Sequence, residues 1–351
     1  MRIVFTGGGT LGSVTPLLAV AEAIRRRQPS AELVWIGTKD GPEQAPVERA
    51  GLRFIGVSAG KLRRYFAWRN FTDLFRVLAG FFQCRRLFRA ERPDRLVSAG
   101  GFVAVPAVWA ARSLGVPIHV HQMDIRPGLA NRLAAPFARS VSVAYRESME
   151  DFAKYNPVWI GNPVRAAVLS GDRNAGLARW RLSGQRPIVL MLGGGTGAES
   201  LNRLAVKAWD FLREDIDLIH VTGLGKAIVV ATDEHYRQVE SLNVEEMGLA
   251  YAVADLVITR AGMGTLTELA ALGKPTVIVP IPNSHQEENA AFFASNQAAE
   301  VWPENELFSK SFADRLLRLT RDRGQRDSLS TAIRGLNRPE AAERMADIVL
   351  R

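Results

Sequence analysis

The chain has 351 residues, 47% hydrophobic and 23% charged, with 45 Lys+Arg against 36 Asp+Glu for a formal charge of +9. That composition excludes a disordered chain and supplies apolar material for two packed cores. A single cysteine, Cys84, excludes a disulfide framework or Cys-rich zinc site and fits a reducing compartment. No run of about 18 apolar residues is free of charge, so no membrane span is expected. The opening MRIVFTGGG leads straight into a strand and a glycine loop and does not read as a signal peptide.

The charge is uneven. Residues 1–160 hold 23 Lys+Arg and 12 Asp+Glu, whereas residues 161–351 hold 22 and 24. The excess points to an anionic partner for the first half: a membrane surface, nucleic acid or a phosphorylated substrate. A solvated Arg-rich face would give the same count.

In chain order, Arg2–Phe5 reads as a buried strand, Gly7 to Ser13 as a glycine loop, and Pro16–Arg27 as a helix with Leu17, Leu18, Val20, Ala21 and Ile24 at helical spacing. Strands are expected near Leu33–Ile36, Phe54–Val57, Arg95–Val97 and Ile118–His121, with helices between them, including Pro106–Ser113. The opening recurs at Ile188–Leu192 (strand), Gly193 to Gly197 (loop) and Ala198–Leu212 (helix), followed by strands near Leu218–Val221, Leu256–Thr259 and Thr276–Val279. Alternating strands and helices predict an α/β protein of two Rossmann-like, doubly wound parallel-sheet domains. The boundary is expected near Gly161-Asn162-Pro163-Val164-Arg165, giving domains 1–162 and 163–337.

Glycine lets backbone approach a ligand, and a helix N-terminus offers free N–H groups to an anion. Neither loop has the spacing of an NAD fingerprint or a Walker A loop, and either by itself also fits a tight turn. Two at matching positions in two Rossmann halves predict ligand sites at the C-terminal ends of both sheets, facing across a cleft. In Thr259-Arg260-Ala261-Gly262-Met263-Gly264, a third glycine stretch opens a helix carrying Glu268. A carboxylate there suits a ribose diol, or else stabilises its own helix. The polar loop Pro280 to Ala290 suits sugar hydroxyls.

These blocks resemble the MurG-type N-acetylglucosaminyltransferases of peptidoglycan synthesis, GT-B enzymes of glycosyltransferase family 28. The resemblance covers nearly the whole chain: GGTLGSVTPLLAVAEAI from Gly8, SAGGFVAVPAVWAARSLGVPIHVHQ from Ser98, PGLANRLAA from Pro127, GNPVR from Gly161, LGGGTGAESLN from Leu192, YAVADLVITRAG from Tyr251, and TELAALGKPTVIVPIP and HQEENA beyond it. It implies inverting transfer of GlcNAc from UDP-GlcNAc to lipid I, the undecaprenyl-diphosphate-linked N-acetylmuramyl-pentapeptide. It also implies that the C-terminal helix, about 338–351, packs back on the N-terminal domain. On the donor side it assigns Arg165 to the diphosphate, the loop residues Gly195 and Thr196, the Val244 backbone to uracil, Glu268 to ribose, and His285 and Gln286 to the sugar hydroxyls. On the acceptor side it assigns Thr10, Gly12, Gly101, Phe102 and Asn131.

Three departures stand out. Ser13 replaces a histidine of the family's first loop, a leading candidate there for the base. His121-Gln122-Met123-Asp124 replaces His-Glu-Gln-Asn, and Gly195 replaces a serine. Serine is no base at neutral pH, so Asp124 is expected to take the acceptor proton, with His121 second. The rival readings are a related transferase with another lipid acceptor, a UDP-GlcNAc 2-epimerase and a non-catalytic UDP-sugar-binding protein. No cofactor or metal is expected: Asp215-Ile216-Asp217 reads as a solvated turn.

Lys61–Arg92 holds nine Lys+Arg, two acids and eight aromatics. Phe71, Phe75, Leu78 and Phe82 recur at helical spacing beside Arg85 and Arg86, as on an interfacial helix, with Tyr65, Phe66 and Trp68 on the preceding loop. A core-facing helix with a solvated Arg face is the alternative. A cytosolic protein on the inner face of the membrane is expected, with no nucleic-acid partner.

Overall fold

The computed structural model describes residues 1–60, 69–195, 197–228 and 233–351, with the side chains of 69–72 outside that description. The chain divides into two compact units, Met1–Arg165 with Arg338–Arg351, and Ala166–Asn337. Arg165, read from the sequence with the donor-binding half, thus ends the first unit.

In the first unit the strands are β1 (Arg2–Thr6), β2 (Glu32–Thr38), β3 (Arg53–Val57), β4 (Arg95–Ser98), β5 (Ile118–Gln122), β6 (Ser140–Val143) and β7 (Val158–Trp159). They form one parallel sheet in the order β3-β2-β1-β4-β5-β6-β7. The helices are α1 (Thr15–Arg27), α2 (Gln44–Arg49), α3 (Arg69–Glu91), α4 (Ala104–Ser113) and α5 (Leu129–Ala134). Successive strand residues face opposite sides. Ile3 and Phe5 therefore join Leu17, Val20, Ile24 and Trp35 on one side, while Val4 joins Val34, Phe88, Val108 and Ala111 on the other. Covering both faces explains the near-continuous apolar runs. Cys84 lies in the second core, where burial pushes its thiol up to about 12; it is an inert core residue.

The second unit repeats the plan with β8 (Ile188–Leu192), β9 (Asp217–Val221), β10 (Tyr236–Val239), β11 (Leu256–Thr259), β12 (Thr276–Ile278) and β13 (Glu300–Val301), in the order β10-β9-β8-β11-β12-β13, all parallel. Its helices are α6 (Ala166–Leu169), α7 (Arg173–Trp180), α8 (Glu199–Trp209), α9 (Val244–Val253), α10 (Met263–Leu272), α11 (Gln286–Ser295), α12 (Ser309–Arg321) and α13 (Arg323–Gly335). Leu201, Ala205 and Trp209 of α8 pack with Phe312, Leu316 and Leu329 against the sheet. Asn243 and Glu246 close a reciprocal capping box that starts α9. Gly273, at φ 62°, ends α10.

The chain then returns to the first unit as α14 (Ala341–Leu350). Gly161, at φ 91°, lets Arg338 pass: a Cβ there would lie 2.3 Å from Arg338 Cβ. The Arg338 guanidinium sits 4.3 Å from the Trp159 ring centre. Met345, Ala346 and Val349 enter the α1 core. Burial at about 1.5–3 kcal/mol per large apolar side chain outweighs the exposed ion pairs from Arg26 and Arg27 to Glu343 and Asp347.

Candidate functional site

Each sheet reverses its strand order once, between β1 and β4 and between β8 and β11. Loops leaving the C-terminal ends at such a switch point form the ligand crevice of open α/β sheets. In both units the glycine loops leave there.

In the first unit the loops after β1, β4 and β5 lie side by side. A Cβ on Gly101, at φ 84°, would meet Gly8 O at 2.6 Å and Ser13 Oγ at 3.3 Å; one on Gly9 would meet the Phe102 ring at 2.1 Å; one on Gly100 would meet Asn131 Oδ1 at 3.1 Å. These contacts bring Ser13, Gly101, Phe102 and Asn131 into one cluster, with Thr10 exposed and Gly12 half-buried on the same loop. Ser13 Oγ and Asn131 Oδ1 are buried polar atoms with no hydrogen-bond partner among the described residues. Such atoms are rare in native interiors and suit a ligand or ordered water.

Asp124 is half-buried in the loop that follows β5. Gln122 and Ser148 stitch that loop. Gln122 Nε2 donates to Asp124 O and Arg126 O at 2.8 and 3.1 Å, and Ser148 Oγ donates to Asp124 O and Ile125 O at 3.2 and 2.8 Å. Asn131 Nδ2 in turn donates to Gln122 Oε1 at 2.7 Å and to His121 O at 3.0 Å. Asp124 is therefore tied through Gln122 to Asn131.

The assignment of His121 as second-choice base needs correction. His121 is fully buried within β5. Its Nδ1 lies 2.8 Å from Ser142 Oγ and its Nε2 3.2 Å from Asn162 Oδ1, while His119 engages Ser140 and the same Ser142. With both ring nitrogens occupied and no access, it cannot reach an acceptor hydroxyl. Burial pushes His121 down to about 4 and His119 to about 3. Both values lie below the ordinary 6.5, so below that pH the unfolded chain binds protons that the folded chain refuses. Stability from this pair is complete above pH 6.5 and drains away as the pH falls toward 4. His119→Gln should lose stability less steeply than wild type between pH 6.5 and 4.5 in urea unfolding; equal slopes would exclude the pair as the cause.

In the second unit Gly195 is exposed in the loop after β8, and Thr196 lies outside the described residues. Asn202 anchors the neighbouring loop by donating to Thr222 O at 2.9 Å, with its Oδ1 3.0 Å from His220 Nε2. Val244 is the first residue of α9, where helix N–H groups have no intrahelical acceptor. Glu268, in the second turn of α10, is 7% exposed and accepts from the buried Tyr251 hydroxyl at 3.0 Å. His285 is exposed at the start of α11. Gln286 Oε1 is committed to the protein: it accepts from Ala261 N and Ile281 N at 3.2 Å each. Arg165 is half-buried after the GNP turn.

Two residues given no role from the sequence hold these loops. Arg260, 4% exposed, donates to Val279 O, Pro280 O and Ser200 Oγ at 3.0, 3.2 and 2.7 Å, and pairs with Glu304 at 2.7 Å. Tyr251 orients Glu268. Both lie inside the quoted YAVADLVITRAG block, but nothing in their spacing signals the contacts.

The turn at Asp215-Ile216-Asp217 also needs correction. Asp217 opens β9, is buried, and has its Oδ1 2.7 Å from His235 Nδ1; Asp215 pairs with Arg321 at 2.8 Å. These groups sit at the end of the sheet away from the glycine loops. Among the described residues no group of three or more His, Cys, Asp or Glu side chains is placed to hold a metal ion.

Helix α3 has two apolar faces. Val77, Cys84 and Phe88 face the core. Phe75 and Phe82 are 71% and 65% exposed, with Leu74 and Leu78 beside them and Arg85, Arg86 and Arg89 following. The Phe71 side chain and Tyr65, Phe66 and Trp68 lie outside the described residues. No helix among the described residues is long and apolar enough to cross a membrane.

Two all-parallel Rossmann-like units, each with a glycine loop at its switch point, define the GT-B class of glycosyltransferase fold. A crystal structure of Acinetobacter baumannii MurG matches with a TM-score of 0.72 at 24% identity, covering 99% of each chain. A UDP-GlcNAc 2-epimerase from Neisseria meningitidis, bound to UDP-GlcNAc, matches at 0.71 and 8% over 100% of each; both show the fold alone. Residues 3–143 match the glycosyltransferase family 28 N-terminal domain and residues 188–345 its C-terminal domain. The chain belongs to glycosyltransferase family 28. A Shouchella clausii protein is 36% identical over 99% of this chain and 97% of its own length, and one from Clostridium botulinum strain Alaska E43 is 32% identical over 100% and 98%. Each is named UDP-N-acetylglucosamine–N-acetylmuramyl-(pentapeptide) pyrophosphoryl-undecaprenol N-acetylglucosamine transferase.

Proposed function

We propose that this chain is an inverting hexosyltransferase that moves N-acetylglucosamine from UDP-GlcNAc to undecaprenyl-diphosphate-linked N-acetylmuramyl-pentapeptide, converting lipid I to lipid II in peptidoglycan synthesis. The observation that carries it is the 36% identity over 99% of the chain to a transferase named for that donor and acceptor.

The second unit takes the donor. Glu268, oriented by Tyr251, accepts from the ribose diol, the Val244 backbone meets uracil, and His285 serves the sugar with the Nε2 of Gln286, whose Oε1 is held by Ala261 N and Ile281 N. Arg165 and loop N–H groups meet the charge that develops on the departing UDP. The first unit takes the acceptor diphosphate on the loops of Gly8–Ser13 and Gly100–Phe102, with Asn131 beside them. Asp124 removes the acceptor hydroxyl proton, a role worth about 10²–10⁴-fold. The α3 stripe and its arginines rest on anionic lipid at the inner face of the cell membrane, each cation contributing about 1 kcal/mol there. An exposed apolar patch with a cationic rim supports that reading. A non-catalytic UDP-sugar-binding protein is the second reading, favoured by Ser13 and Gly195 standing where the family carries histidine and serine.

One assay decides: transfer of labelled GlcNAc to a lipid I analogue presented in anionic or zwitterionic vesicles. Transfer is expected, faster on anionic vesicles. UDP-GlcNAc binding without transfer would establish the non-catalytic binding protein instead, and equal rates and binding on both vesicles would remove the membrane contact.

A further inference from the structure

Behind the first glycine loop lies a fully buried carboxylate, Glu43. Its Oε1 accepts from Thr38 N and Thr38 Oγ1 at 2.6 Å each, and its Oε2 accepts from Gly9 N at 3.2 Å. Three glycines from three places in the chain are cut to fit it. A Cβ on Gly8 would fall 2.1 Å from Oε1, one on Gly41 would crowd Thr38 Oγ1 and Oε2, and one on Gly37 would meet the Phe54 ring first and Oε1 at 3.0 Å. Trp35 Nε1 donates to Gly7 O at 3.0 Å, so the loop is gripped from below at two successive points. A buried charge is tolerated only where it is well hydrogen-bonded, and removing one partner from such a group costs more than an ordinary contact.

We propose that Glu43 is the positioning residue of the acceptor loop. By drawing the Gly9 N–H inward it fixes which of the neighbouring loop groups, the Ser13 hydroxyl among them, face the acceptor's diphosphate. This rests on the reading that the first unit takes a diphosphate-linked acceptor. Glu43 itself touches no substrate. Its carboxylate lies behind the loop, and its charge is spent on three protein donors.

Glu43→Gln separates the two jobs. The amide oxygen still serves both Thr38 donors, so the side chain stays seated, but the NH₂ then faces the Gly9 N–H, donor against donor. The expected result is a rise of about tenfold or more in KM for a lipid I analogue, with KM for UDP-GlcNAc within about twofold of wild type and calorimetric UDP binding unchanged. Gly41→Ala crowds the same carboxylate from the far side, its Cβ meeting Thr38 Oγ1 and Glu43 Oε2 and no residue of the loop; it should raise the same KM and decides the matter if Glu43→Gln does not fold. An unchanged acceptor KM in folded variants, or equal rises in both KM values, would overturn the role of Glu43. Absence of transfer by the wild-type chain would overturn the acceptor reading itself.

Discussion

Asp124→Asn should lower kcat by about 10²–10⁴-fold while leaving UDP affinity unchanged. The amide keeps the shape of the side chain, and the Gln122 and Ser148 hydrogen bonds that stitch its loop go to main-chain oxygens and are retained. For the chemistry, the variant loses the ability to accept a proton. Ser13 offers no replacement, and His121 is sealed between Ser142 and Asn162. His121→Ala is therefore expected to cost stability and not chemistry. Single-turnover transfer with saturating donor makes the comparison: a rate for Asp124→Asn within about threefold of wild type, outside the range for a lost base, would assign proton removal to another group.

The second large effect belongs to Glu268. Glu268→Gln should weaken UDP binding by about 10–100-fold, the range for losing a charged acceptor of hydrogen bonds. Tyr251→Phe removes only the hydroxyl that orients it and should weaken binding by about three- to tenfold, with kcat at saturating donor unchanged. Titration calorimetry with UDP checks both. Wild-type affinity in Glu268→Gln would remove the ribose contact, and a Tyr251→Phe loss equal to that of Glu268→Gln would mean that Tyr251 acts on more than this carboxylate.

Much of the fold was legible locally. A parallel strand covered on both faces is an unbroken apolar run, and Arg2–Phe5, which the structure extends to Thr6, and Ile188–Leu192 read as such. Strands β6 and β10 were not legible. Ser140–Val143 alternates serine with valine because Ser140 and Ser142 serve the buried histidines, and Tyr236–Val239 carries Arg and Gln. The basic segment divided in a way its spacing did not show. Val77, Cys84 and Phe88 went to the core, while Phe75, Leu78 and Phe82 stayed outside. Hydrophobic residues at helical spacing specify a helix, but which stripe is buried depends on what packs beside it.

By itself the sequence determined the class of fold, the glycine loops at matching places, the family and the residue types offered to a nucleotide sugar. All are carried by local pattern: periodicity, turn chemistry and ordered motif blocks. Only the tertiary structure decided what those residues are free to do. It made His121 a core histidine, gave Gln286 Oε1 to two backbone donors, set Tyr251 against Glu268 and brought Glu43 up behind Gly9. The physical reason is that a side chain's chemistry depends on burial and on partners that are often tens of residues away in the chain. Those partners become neighbours only when the sheet brings its strand ends together.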